Sequence, residues 1–364
     1  MPLKRILLVS YLVDRPYLSQ LASLLHQQDY DVYHYLIATG ELKHNGELTS
    51  PGISGQHPVK LLKRFFSISH TLKNMEGFDA LHFHYSHIVY LPLYFWWRRF
   101  SSEFVHTIWG SDFYRTAAWR HRIFRLFYGK MNEISFANSR TLKAFAQKYP
   151  NLTGRLHLAR FGLISLDVIR RIRSLEREAE WRKSLGLPDD LPIICLGYNA
   201  SPAHQHIPVL REMIQSYNPE FAFHLVLTLT YGSTSDDYVG EINALLSKAP
   251  FSSSVFTNYL SHEDVARLRL VTAILIHVPV TDQLSAVLQE ALFCGSHVIA
   301  GRWLEYQDLK DLGISWNEVD QLEEIMPLLH QLLDGKKPAQ NFEAEISQLS
   351  GWDQVLGQWM RLYG

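Results

Sequence analysis

The stretch from Ala273 to Ala300 leaves a chain little freedom in how it folds. Ala273-Ile-Leu-Ile-His-Val278 is an apolar run with the length and branched content of a buried strand, and it empties into a short polar turn. A helical pattern follows. Its apolar positions Leu284, Val287, Leu288, Ala291 and Leu292 form one stripe, Ser285 is placed to cap its start, and Gly295 ends it before a second strand, His297-Val-Ile-Ala300. Strand, helix and strand in this order, with a helix N-terminus facing the crevice, make half of a nucleotide-binding site, because orphan amides and the helix dipole both favour phosphate there. One carboxylate, Glu290, lies a turn and a half into the helix.

The same alternation extends along the chain. From Lys4 to about Pro150, strand patterns at Ile6–Ser10, Val32–Ile37, Ala80–His84, Phe104–Trp109 and Ile134–Ala137 are separated by helical patterns, which predicts a parallel sheet covered on both faces. Between Gly40 and Pro58 the composition turns to Gly, Pro, Ser, His and Asn and reads as a loop. Residues 164–186 are dense in charge and read as a solvated helix and linker. Alternation resumes at Leu191-Pro-Ile-Ile-Cys-Leu-Gly197. The expected fold class is α/β, two Rossmann-like doubly wound domains facing across a cleft. Their expected bounds are 1–163 and 191–335, with a linker over 164–190 and a helical segment over 336–364 that can cross back to the first domain.

Charge divides along the chain. Residues 1–160 carry 20 Lys and Arg against 10 Asp and Glu, whereas residues 191–364 carry 9 against 20. The N-terminal half is therefore expected to meet something anionic. Arg115–Lys130 holds Arg115, Arg120, Arg122, Arg125 and Lys130 among Trp119, Phe124, Phe127 and Tyr128. With Trp96-Trp97-Arg98-Arg99-Phe100 and Lys60, Lys63, Arg64, Phe65 and Phe66, it makes basic-aromatic faces suited to an anionic membrane surface, or ordinary solvated helix faces. No nucleic-acid-binding signature accompanies them, so nucleic acid is not an expected partner. Cys195 and Cys294 sit in apolar segments outside any metal-ligand spacing, which suits reduced thiols and a cytoplasmic chain. No stretch approaches the ~18 apolar residues of a membrane span, and no leader pattern precedes the first strand. Asp29-Tyr-Asp31 reads as a surface turn at a strand entry rather than a metal site.

Asp282-x7-Glu290, followed by Ala-Leu-Phe-Cys-Gly-Ser-His-Val-Ile-Ala, resembles the Glu-x7-Glu region of GT-B glycosyltransferases of family 4, with Asp in the first acidic place. Three further stretches resemble the bacterial glycosyltransferase family 56: His106-Thr-Ile-Trp-Gly-Ser-Asp-Phe-Tyr114, Gly197-Tyr-Asn-Ala-Ser-Pro-Ala-His-Gln-His-Ile207, and Leu227–Gly232 with Tyr238–Glu241. Members of that family add 4-acetamido-fucose from a dTDP donor to a lipid-linked saccharide. The resemblance implies a GT-B fold, an acceptor-side first domain, a nucleotide diphosphate sugar held mainly by the second domain, and no metal or other cofactor. Family 4 is retaining and family 56 inverting, so the stereochemistry stays open.

For the donor, Leu284, Ser285 and Ala286 would present amides to phosphate, although an ordinary capped helix has the same pattern. Glu290 would accept both ribose hydroxyls or stand as a helix carboxylate; Asp282 would approach the donor sugar catalytically or cap backbone. Asn199 and Ser201, with His204 or His206 at the head of the next helix, would hold the diphosphate where family 4 members use Arg or Lys. Tyr231 would border the base or pack in the core. On the first domain Asp112 would take the acceptor proton or cap a helix beginning near Phe113, with His82 and His84 in reserve. Trp109 stands where many GT-B enzymes place a histidine.

The expected activity is a metal-independent hexosyl transfer from a nucleotide diphosphate sugar to a saccharide, such as a polyprenyl-pyrophosphate-linked one, in bacterial surface polysaccharide or glycolipid assembly. The expected location is cytoplasmic, peripheral on the inner face of the plasma membrane. A sugar-nucleotide 2-epimerase and a non-catalytic subunit of a transferase complex share the fold and remain alternatives.

Overall fold

The alternating pattern builds two separate sheets. The computed structural model describes residues 3–11, 16–50, 68–70, 72–73, 75, 77–232, 236–335 and 340–364. It divides into one unit of residues 1–162 with Trp352–Gly364 and a second of Leu163–Gly351.

In the first unit the strands are β1 (Lys4–Ser10), β2 (Tyr30–Leu36), β3 (Glu41–His44), β4 (Glu47–Ser50), β5 (Ala80–His84), β6 (Glu103–Ile108), β7 (Glu133–Phe136) and β8 (Leu156–Leu158), in the order β4-β3-β2-β1-β5-β6-β7-β8. Alternate residues of β1 feed opposite cores, as the two-residue period of a strand requires. Leu7 and Val9 pack with the helices Tyr90–Trp97 and Ala118–Tyr128, while Ile6 and Leu8 pack with Pro16–His26 and Trp352–Met360. The C-terminal segment is tied here by Trp359 Nε1 to the Arg160 carbonyl at 2.6 Å and by the Tyr363 hydroxyl to His82 Nδ1 at 2.7 Å.

Part of the expected loop over Gly40–Pro58 is a hairpin, β3–β4, added antiparallel to β2. Its turn is Asn45-Gly46, both at positive φ (50° and 93°), the two-residue turn whose twist suits a hairpin. Residues 51–58, like Lys60, Lys63, Arg64, Phe65 and Phe66, lie outside the described residues.

The second unit has β9 (Ile193–Leu196), β10 (His224–Thr228), β11 (Ser252–Phe256), β12 (Thr272–His277), β13 (His297–Gly301) and β14 (Asn317–Val319), all parallel, in the order β11-β10-β9-β12-β13-β14. The order reverses between β9 and β12. At such a switch point the connections after the two strands diverge to opposite faces and leave a crevice at their carboxyl ends. Residues 164–190 are not a solvated linker. Leu166, Ile169 and Ile172 of the helix Ile164–Leu175, with Trp181 and Leu185 of Glu178–Leu185, are buried in this unit's core. The charge density that suggested a linker is its outer face, where Arg171 meets Glu263, Arg173 meets Glu343 and Arg267 meets Glu176, each at 2.7 Å. The unit begins at Leu163 because an apolar stripe at helical spacing outweighs a charged surface.

Candidate functional site

Two loops meet at the switch point of the second sheet. After β9 the chain turns at Gly197 (φ 65°), where a Cβ would come within 2.7 Å of His206 Nε2. Asn199 Oδ1 then accepts the Ser201 amide at 2.8 Å, the Ser201 hydroxyl accepts the Ala203 amide at 3.3 Å, and the Ala200 amide donates to the Tyr231 carbonyl at 2.7 Å. The loop after β12 is stitched to it. The Val280 amide donates to the Ala203 carbonyl at 2.8 Å and Gln205 Nε2 to the Val278 carbonyl at 2.6 Å. Asn199, Ser201 and His204 therefore share one end of the sheet with the Asp282 turn. Tyr231 stands beside them, 54% exposed.

The two histidines of the first loop differ in role. His206 is fully buried, with Nδ1 3.0 Å from the Tyr238 hydroxyl, and burial, then the neighbouring His204, pushes it down to about 3. It is a pillar under the Gly197 turn, which corrects the expectation that it faces a diphosphate. His204 lies edge-on to Tyr198, ring centres 4.3 Å apart, and burial, then His277, pushes it down to about 4. It is a neutral imidazole at neutral pH.

Asp282 belongs to a group that the sequence did not reveal. His277 Nε2 lies 3.2 Å from Asp282 Oδ2 and 2.9 Å from the Tyr306 hydroxyl, which donates to the same carboxylate oxygen at 2.9 Å. Burial would raise the Asp282 carboxyl, but bonds from His277, the Gln283 amide and Tyr306 outweigh it and hold it below the usual value. The only available signals were a histidine at the end of an apolar strand and a tyrosine 24 residues beyond the carboxylate.

The helix Ala286–Cys294 starts as its spacing predicts. Ser285 is the N-cap and accepts the Leu288 amide at 3.4 Å, and Gly295 closes the helix at φ 82°. Leu284, Ser285 and Ala286 thus stand at a helix start on the crevice end of β12. Glu290 does not join them. Its carboxylate is buried and accepts Arg269 Nε at 2.9 Å, with side-chain exposures of 9% and 7% for the two partners. The helix period explains this: Glu290 shares the inward face with Val287 and Ala291. Lys and Arg are absent from 197–206, 229–232 and 278–286. Arg302, after β13, is paired with Asp320 at 2.6 Å.

In the first unit Asp112 is buried in the short helix that follows β6. Its Oδ1 accepts the Trp109 and Gly110 amides, both at 2.9 Å, and its Oδ2 accepts the Ser86 amide at 2.7 Å. Burial raises this carboxyl above its ordinary value, against the pull of those amides. The expected cap role is corrected: Gly110, not Asp112, caps the short helix Ser111–Tyr114, and the carboxylate clamps the β5 and β6 loops together.

His82 and His84, the reserve bases, are fully buried with His106. His82 bonds Thr107 and Tyr363, and neither His84 nitrogen has a partner among the described residues. Burial pushes His82 and His84 well below the ordinary imidazole value and His106 to about 3. The folded chain holds them neutral, whereas the unfolded chain protonates them near pH ~6.5. Stability is thus fully present above that pH and is expected to fall below it, by up to about 1.4 kcal/mol per pH unit for each histidine. Urea midpoints compared at about pH 7.5 and about pH 5 check this, and equal midpoints would refute it.

No family model and no curated protein matches the chain. Solved structures do. A glycosyltransferase from Rickettsia africae is similar over 100% of this chain and 98% of its own, at a TM-score of 0.77 and 14% identity. Sucrose-phosphate synthase from Thermosynechococcus elongatus is similar over 99% and 98%, at 0.71 and 16%. Anabaena HepE, solved in complex with UDP, is similar over 98% of both chains, at 0.68 and 14%. What the chain shares with these proteins is the GT-B architecture, two Rossmann-like α/β units each built on its own mainly parallel sheet.

Proposed function

We propose that the protein is a glycosyltransferase that moves a hexosyl group from a nucleoside diphosphate sugar to a saccharide acceptor. The observation that carries this reading is the convergence of the Gly197–His204 loop, the Asp282 turn and the Ser285 helix start at the β9/β12 switch point. The diphosphate sits over the amides of Leu284, Ser285 and Ala286, with Asn199, Ser201 and neutral His204 as further hydrogen-bonding groups. Tyr231 borders the base, and Asp282, oriented by His277 and Tyr306, receives the donor sugar. The reading needs no metal: amide dipoles meet the charge of the leaving diphosphate, and the Asp282 carboxylate is already engaged by His277 and Tyr306. The acceptor is a lipid-linked saccharide in bacterial surface polysaccharide or glycolipid assembly, handled on the cytoplasmic side.

A second reading, a non-catalytic subunit of a transferase complex, is favoured by the absence of Lys and Arg from these loops and by the clamped Asp112. Thermal unfolding with UDP, GDP and dTDP tests the donor site. One diphosphate at about a hundred times its Kd is expected to stabilise the protein by ~2.7 kcal/mol, and His204→Ala to weaken its binding roughly five- to tenfold at unchanged stability. No shift with any of the three would end the donor-site reading. Binding without sugar release or transfer would favour the non-catalytic one.

A further inference from the structure

The helices Tyr90–Trp97 and Ala118–Tyr128 follow β5 and β6, strands that are neighbours in chain and in sheet. Right-handed crossovers put both on one face of the first sheet, so their outer sides point the same way. A helix covering a sheet normally turns polar residues outward. These do not. Trp119 and Leu126 are 53% and 63% exposed, and Phe95 and Trp96 are 51% and 44% exposed. Trp119, Ile123 and Leu126 follow i, i+4, i+7 and make an apolar stripe on the outer side, while Phe124, Phe127 and Tyr128 fill the core.

The charges around this stripe are all of one sign. Arg98, Arg99, Arg115, Arg120, Arg122, Arg125 and Lys130 accompany it along the chain, all exposed, and among the described residues none forms an ion pair with a carboxylate. In 86–130 the acids are Glu103 and the buried Asp112. The second unit behaves differently, since its Arg170, Arg171, Arg173, Arg211, Arg267 and Arg302 all pair with acids. Two of the cations lie over exposed rings, Arg99 over Trp96 at 5.3 Å and Arg120 over Trp119 at 5.2 Å. Exposed indoles and a leucine are costly to leave in water, and with unpaired arginines beside them they are complementary to a surface with anionic phosphates above an apolar layer.

We propose that this face docks the protein on an anionic lipid bilayer. Trp119, Leu126, Phe95 and Trp96 enter the boundary between headgroups and acyl chains, and the arginines meet lipid phosphates. The helices lie in the interface rather than across it, since no described helix is long and apolar enough to cross a membrane.

Co-sedimentation of the full chain with vesicles tests this. Binding is expected to phosphatidylglycerol mixed with phosphatidylcholine, not to phosphatidylcholine alone, and to weaken at high salt. Arg122→Glu with Arg125→Glu is expected to weaken it by about tenfold or more, as is Trp119→Ser with Leu126→Ser, with the thermal shift by UDP unchanged. Equal binding to uncharged vesicles, no binding to either, or binding indifferent to both double variants would overturn the proposal. So would a solution dimer that Trp119→Ser with Leu126→Ser dissociates while vesicles are ignored, since a second copy would then cover the face. Failure here with the UDP shift intact leaves the donor site standing, and the converse leaves the membrane face standing.

Discussion

Glu290→Ala is expected to cost the second unit roughly 3–5 kcal/mol, because it leaves the Arg269 guanidinium buried without its counter-charge. Arg269 sits among Cys195, Cys294 and Glu290; burial works against its charge, and the carboxylate that accepts its hydrogen bond, with the neighbouring thiols, more than restores it. Glu290→Gln keeps an acceptor and loses the charge, so a smaller loss is expected. Replacing both partners, Arg269→Leu with Glu290→Leu, removes the two desolvated charges together and is expected to recover most of the stability. Chemical denaturation of the wild type and these three variants, followed by fluorescence, checks these losses. If Glu290→Ala unfolds at the wild-type midpoint and loses only affinity for UDP, the carboxylate faces the ribose and the structural account fails. The two roles are thus separated by stability rather than by activity, since both predict reduced turnover.

Asp112→Ala should be nearly as damaging in the first unit. Three backbone amides lose their acceptor at once, and each buried donor left unpaired costs about 1–3 kcal/mol. Because Ser86 follows β5 and Trp109 and Gly110 follow β6, the loss frees two loops from each other. Asp112→Asn retains one acceptor oxygen and sets an NH2 group against an amide donor, so an intermediate loss is expected. Turnover per folded molecule, measured with a nucleotide sugar and a saccharide acceptor, is expected to survive in Asp112→Asn. A variant that folds like the wild type and turns over nothing would restore Asp112 as the acceptor's base.

What could be read without coordinates were features set by short-range periodicity. The βαβ unit of 273–300 declared its strand, its Ser285 cap, its stripe and its Gly295 stop, because each depends on neighbours three or four residues away. The hairpin at 41–50 was read as a loop although Asn45-Gly46 carries its signal, because the polar composition around the turn obscured it. The charged stretch 164–190 misled for a related reason. Its ion pairs are the solvent face of helices whose inner face is buried in the unit's core.

The site was legible in placement and not in role. Sequence alone determined that Asn199, Ser201, His204, Tyr231, Asp282 and Ser285 lie just past the carboxyl ends of strands, since strand ends follow from local pattern. Only the tertiary structure decided where each functional group points and what it meets. It turned Glu290 onto Arg269, 21 residues away, gave Asp112 to the Ser86 amide, 26 residues away, and joined Asp282 to His277 and Tyr306. The reason is physical. A carboxylate inside a protein takes whichever donors the packed elements bring to it, and those donors come from parts of the chain that no periodicity connects.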